Sequence, residues 1–205
     1  MASVIGIAVH DHWKPYYIMG SVLHALCNAH HLRELKALVE IEHEDWARKM
    51  QILLRRACHA ANLAREQGRT LKPRLVARIE RRYDGIVAEG LAFHLALPPL
   101  RRAQRRGWKP QRVGHNLLGR LEQRKGDVLR FLNDPNVPFT KNQAEGDARM
   151  MKLRQKISGG FRAQASADDF VVIRSVLSTA RKQGWTILAT LMQEPEKLVL
   201  SLRTV

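Results

Sequence analysis

Apolar positions recur along this chain with two different periods, and the change from one to the other organises it. Val4-Ile5-Gly6-Ile7-Ala8-Val9 is an uninterrupted apolar run ended by His10-Asp11-His12, the pattern of a buried strand with a polar tip. Leu23 to Ala29 predicts a second strand. From His31 to about Gln67 the spacing turns helical through Leu32, Leu35, Leu38, Val39, Trp46, Met50, Leu53, Leu54 and Ala57, and Gly68 is the expected stop. A second helix follows Pro73 on the stripe Leu75, Val76, Ile79, Tyr83, Ile86, Val87 and Leu91, and Pro98-Pro99 closes it. A third amphipathic helix runs through Leu117, Leu118, Leu121, Val128, Leu129 and Leu132 until Asp134-Pro135-Asn136-Val137-Pro138 breaks it. Asn142 is placed to cap a further helix. After Ser158-Gly159-Gly160, the pair Ser166 and Asp169 has capping-box spacing and opens a helix to about Gln183, with Gly184 as its stop. The expectation is an α+β fold, mostly α, without internal repeats.

Charge narrows the partners. The 205 residues, enough for one domain or one and a half, carry 35 Lys+Arg against 19 Asp+Glu, a formal +16. That excess draws the chain to a polyanion, and nucleic acid is the default. A membrane-surface role needs an amphipathic anchor rich in aromatics, and only 6% of the chain is aromatic. No apolar run approaches the roughly 20 residues of a span, and Met1 to Val9 lacks the marks of a signal peptide, so the expected compartment is cytoplasmic. Cys27 and Cys58 are expected as free thiols. Cys27-x2-His30 has the look of half a zinc site, but Cys58-His59 lacks the spacing of the other half.

Two stretches carry candidate chemistry. Glu145, Arg149, Lys152 and Lys156 stand four, three and four residues apart, which places them on one helix face. Arg154 and Arg162 add to the same basic cluster. One reading is a metal-holding carboxylate beside phosphate-binding bases; the other is a solvated face whose Glu-Arg pair contributes a few tenths of a kcal/mol. The second stretch, from Arg101 to Lys125, holds Arg101, Arg102, Arg105, Arg106, Lys109, Arg112, Arg120, Arg124 and Lys125 against the single acid Glu122 and could track a phosphate backbone. Trp108 within it either stacks on a base or anchors a loop on the core.

Three segments in register, His10-Asp11-His12-Trp13-Lys14-Pro15-Tyr16-Tyr17, Leu26-Cys27-Asn28-Ala29-His30-His31-Leu32-Arg33-Glu34-Leu35, and Asn142 to Phe161, resemble the insertion sequence 66 family of bacterial transposases. The resemblance extends from about Val4 to about Leu191. It implies a ribonuclease H-like core whose Asp-Asp-Glu triad is interrupted by a large helical insertion. Asp11 matches the second aspartate and Glu145 the glutamate, so the resemblance makes both catalytic ligands of Mg²⁺ or Mn²⁺, with Arg149 and Lys152 holding phosphates nearby. It implies residues 1–35 as a partial ribonuclease H-like core, 36–133 as the insertion with its basic segment, and 134–205 as C-terminal core helices carrying the glutamate.

Two departures stand beside the match. None of the ten residues before Asp11 is acidic, so the first aspartate is unmatched, and Lys141 and Gly146 stand where the family usually shows Asn and Arg. A glycine within a helix costs on the order of 1 kcal/mol against alanine. The expectation is a truncated, decayed or split transposase, acting in DNA transposition and recombination of a mobile element but inactive alone. Its partners would be transposon-end and target DNA, with a second copy of itself or an upstream transposase fragment. The alternatives are a basic DNA-binding remnant without catalysis and a helical module that co-assembles with an intact transposase.

Overall fold

The computed structural model describes residues 6–100, 111–141, 146, 149, 152, 153, 156, 157 and 159–203, without the side chains of 201–203. The chain divides into two compact units, Met1–Lys141 and Asn142–Val205.

In the first unit the β-like start forms two parallel strands. They are β1 (Gly6–His10) and β2 (Val22–Leu26), paired in register from Gly6 opposite Val22 to His10 opposite Leu26. A short connection with a single 3₁₀ turn, Lys14–Ile18, returns the chain between them. Helix α1 (Asn28–Ala37) follows β2 directly, so the second strand ends sooner than the apolar run through Ala29 suggests. The reason is a polar side chain in the interior. Asn28 is fully buried and donates from Nδ2 to the Val128 carbonyl at 2.9 Å, which fixes it as a helix start rather than a strand residue.

The helix expected from His31 to Gln67 is two helices. After α1 comes a π turn, Leu38–Glu42, then His43 in the left-handed region at φ 56°, then α2 (Asp45–Glu66). The break brings Glu44 inside. Its carboxylate accepts the Trp46 indole N–H and lies 3.2 Å from His94 Nε2, with Glu44 and His94 only 6% and 1% exposed at their side chains. A buried carboxylate needs such partners, and a continuous helix would not deliver it to them.

Helix α3 (Pro73–Ala96) keeps its predicted stripe, with Ile79, Tyr83, Ile86 and Val87 buried. The next amphipathic stretch also divides, into α4 (Val113–Gln123) and α5 (Lys125–Asn133), with Arg124 at φ −114° between them. That bend turns α5 onto β2, where Arg130 Nε donates to the His24 carbonyl at 2.6 Å. Leu35, Met50, Leu54, Tyr83, Leu117, Leu118, Leu121 and Val128 meet in one core, and the Tyr83 hydroxyl donates to the Leu121 carbonyl at 2.9 Å.

The second unit contains α6 (Gln164–Lys182), α7 (Ile187–Leu191) and α8 (Pro195–Arg203). Ser166 is not the cap. Helix α6 begins two residues earlier, after Ala163, with no side-chain capping bond, and Gln164 Nε2 donates to Asp168 Oδ1 at 2.9 Å. Gly68 and Gly184 do stop their helices, at φ +62° and +70°. Val171, Val172, Ile173, Leu188 and Met192 are exposed.

Gly114, near the start of α4, is required by the buried pair. A Cβ there would lie 2.5 Å from Glu44 Oε2 and 2.6 Å from His94 Nε2, whereas one at Gly119, later in the same helix, meets nothing within 4 Å. Gly114→Ala is expected to lower stability by about 1–3 kcal/mol, and Gly119→Ala to raise it by about 0.5–1 kcal/mol. Denaturant unfolding of the two variants checks this; equal effects would show that the pair leaves room for a methyl group.

Candidate active site

The carboxyl ends of parallel strands are where ligands collect, because loops and side chains converge there from both strands. Asp11 follows the last residue of β1, and Cys27 the last of β2. Asp11 Oδ1 accepts the Trp13 backbone N–H at 3.2 Å, so the carboxylate does cap the turn after it. Its other oxygen, Oδ2, faces Lys141 Nζ at 3.4 Å. Burial pushes the Asp11 carboxyl upward, but the Trp13 amide and the Lys141 ammonium outweigh it and hold it below its ordinary value. The group is therefore ionised at neutral pH, and its side chain is 39% exposed.

A neutral polar wall stands beside it. His10, buried at the end of β1, stacks on Tyr16 with ring centroids 4.7 Å apart. Its Nδ1 bonds to the Asp11 carbonyl, which only a protonated Nδ1 can do, so Nε2 must accept from His24 Nδ1 at 3.1 Å. Burial, the largest influence, lowers the His10 pKa and keeps the ring in this neutral form. Tyr17 donates to Asp127 Oδ2 at 3.1 Å while the Arg124 guanidinium lies 3.8 Å over its ring. Burial and then the Asp127 charge push that phenol up to about 12, so it remains a donor.

Deeper in, Asn28 spends its amide N–H on Val128, so its Oδ1 accepts from His31 Nδ1 at 3.2 Å. Burial, followed by Arg120, His12 and His30, takes the His31 pKa down to about 3. Arg120 is in turn paired with Glu34, its two guanidinium nitrogens meeting the two carboxylate oxygens.

Of the residues proposed from sequence, Asp11 lies at this strand end. Glu145, Arg101, Arg102, Arg105, Arg106 and Lys109 lie outside the described residues, as do Trp108 and the Asn142 cap. Arg112 is half-buried and donates to the Pro98 carbonyl at 2.9 Å, so its guanidinium is engaged in holding the chain before α4. Arg149, Lys152 and Lys156 are helical and exposed, in the second unit. The sequence reading assigned no role to Lys141, Tyr17 or His24. Tyr17 ends the His10 to Tyr17 segment and Lys141 directly precedes the Asn142 segment; nothing local in the sequence ties either to Asp11. Cys27 and Cys58 are free thiols, and Cys27 Sγ accepts the Lys141 backbone N–H at 3.2 Å. Among the described residues no three His, Cys, Asp or Glu side chains converge as a ready metal site.

Residues 1–169 match the Transposase IS66 family, and the chain belongs to that family. A 68-residue segment is 32% identical to the uncharacterized protein y4jO of Sinorhizobium fredii (strain NBRC 101917 / NGR234), covering 33% of this chain and 21% of that relative. The match thus spans about a fifth of the relative's length. No solved structure matches the chain.

The buried His31 gives the fold a pH dependence with a definite sign. The unfolded imidazole takes up a proton below 6.5 and the native one only near 3, so its contribution is complete above 6.5 and is lost as pH falls between those values. Unfolding free energy should fall by about 1.4 kcal/mol per pH unit in that window from this group alone. His31→Gln, which can still donate to Asn28, should flatten the dependence in denaturant titrations; an unchanged slope would assign it to other groups.

Proposed function

We propose that this chain acts in DNA transposition as part of the catalytic region of an Asp-Asp-Glu transposase. In this reading β1, β2 and most of α1 belong to a ribonuclease H-like core, and residues 36–133, which include α2 to α5, form the insertion that interrupts it. The observation that carries the proposal is an ionised, part-exposed carboxylate at the end of a parallel strand, in a chain of this family.

The donor chemistry of the site fits a hard divalent cation. Asp11 offers carboxylate oxygen, and the one thiol nearby, Cys27, is already occupied by an amide N–H. By the family resemblance Asp11 and Glu145 would each serve as a ligand of Mg²⁺ or Mn²⁺, and the ion would supply Lewis-acid stabilisation of a displacement at phosphorus. The neutral His10, bonded to His24, and the protonated Tyr17 fix the strand end and add no competing anion at Asp11. Arg101, Arg102, Arg105, Arg106 and Lys109 bind the DNA backbone, joined by Arg112 through the guanidinium donors that its bond to Pro98 leaves over, and Arg149, Lys152 and Lys156 add a second basic face. Asp11 and Glu145 match two of the family's three carboxylates, and cleavage in this reading needs the third as well.

The second reading is a helical module that co-assembles with an intact transposase. The exposed Val171, Val172 and Ile173 of α6 favour it, because large apolar side chains left in solvent at successive helix positions ask to be covered.

DNA binding separates the basic surfaces. With about six phosphate contacts, log K against log salt should fall with a slope near roughly −5. Neutralising Arg101, Arg102, Arg105 and Arg106 together should flatten it; an unaltered slope moves the DNA surface elsewhere. Cleavage separates the two readings. Mg²⁺-dependent nicking is expected only when an upstream segment carrying the first aspartate is supplied, and it should vanish in Asp11→Asn and Glu145→Gln. Strong nicking by the chain alone would overturn the expectation of an incomplete site, and none with the supplement would favour the co-assembly module.

A further inference from the structure

The Lys141 ammonium is set against Asp11 by its main chain. Residues 139–141 dock on the end of β2. Asn28 N–H donates to the Phe139 carbonyl at 3.0 Å, and Lys141 N–H to Cys27 Sγ at 3.2 Å. The Phe139 ring sits edge-on against Phe131, with centroids 4.9 Å apart. From this anchored backbone the lysine side chain, only 18% exposed, reaches Asp11 Oδ2 at 3.4 Å. Oδ1 is already satisfied by Trp13. A surface lysine spends conformational freedom to hold such a contact; one with a buried stem and a fixed backbone has little left to lose.

We propose that Lys141 is the resident cation of the Asp11 site: its ammonium neutralises the carboxylate in the unloaded protein and must leave Oδ2 before a divalent ion can occupy it. The inference rests on the reading of Asp11 as a metal ligand. Mg²⁺ coordinates carboxylate oxygen at about 2.1 Å, so an ammonium still in contact with that oxygen would stand a few ångströms from two further positive charges. The two cations compete, and the side chain at position 141 sets how readily the site loads. That makes Lys141 a determinant of metal affinity, with no part in the bond-making steps.

The test is Mn²⁺ binding to the full chain, followed by the electron paramagnetic resonance of the free ion, with no DNA present. Lys141→Met removes the charge and keeps the stem, and it is expected to bind Mn²⁺ about tenfold more tightly than the parent chain. Lys141→Arg, which restores a cation, should return affinity to the parent value. Asp11→Asn should weaken binding in both the parent and the Lys141→Met background. Circular dichroism and thermal unfolding establish that each variant is folded, and Lys141→Gln replaces the methionine variant if that one is not. Equal affinity in the parent and the charge-free variant, with Asp11→Asn still weakening it, overturns the resident cation and leaves Asp11 a ligand. Binding that Asp11→Asn does not alter in any background overturns the ligand reading and this inference together.

Discussion

A parallel pair of strands cannot stabilise itself, and the rest of the first unit follows from how this one is held. Two strands leave two open edges, and a pair this short has too little surface to exclude water from its hydrogen bonds. Helix α5 and residues 139–141 supply what is missing. Arg130 takes up the His24 carbonyl of β2, Asn28 reaches the Val128 carbonyl of α5, and Phe139 accepts the amide at the start of α1. For α5 to lie there the helical stretch must bend at Arg124. The bend is not wasted, because that residue's guanidinium then covers Tyr17. The strand end that presents Asp11 is thus built from segments more than a hundred residues apart in sequence.

The electrostatics of the unit have an unusual division of labour. The chain is strongly cationic, yet the interior around the strand ends is kept neutral by burial: His10, His12 and His31 are all pushed toward the uncharged imidazole. Carboxylates near the site are matched one by one, Glu34 by Arg120, Asp127 by Arg130 and Tyr17, Asp11 by Lys141. Neutral rings beside matched acids let positive charge accumulate outside without like-charge repulsion inside the packed region.

The helices were legible in the sequence because a stripe at period 3.6 is a local signal, and residues such as Met50, Leu54, Ile79, Tyr83 and Leu121 are buried where their spacing places them. The breaks were not. The π turn before His43 and the bend at Arg124 are set by partners on other elements, His94 for Glu44 and Tyr17 for Arg124, and no window of adjacent residues contains both halves of either contact. Ser166 misleads for a related reason: its spacing to Asp169 suits a cap, but the chain has already entered the helix at Gln164. Asp11 reads from the sequence as a strand-end carboxylate because a polar tip after an apolar run is itself local. Its pairing with Lys141 spans 130 residues and has no local trace.

The π turn at Leu38–Glu42 holds one more residue per turn than the helix around it. Each residue of an α-helix advances the chain by about 100° about its axis, so that extra residue acts as an angular offset. Deleting one residue there would change the direction in which the chain leaves the turn at His43. Glu44, extended between that turn and α2, would then no longer be delivered to Trp46 and His94. The segment is therefore intolerant of length change although most of its side chains face outward. Substitutions can accumulate there; insertions and deletions cannot.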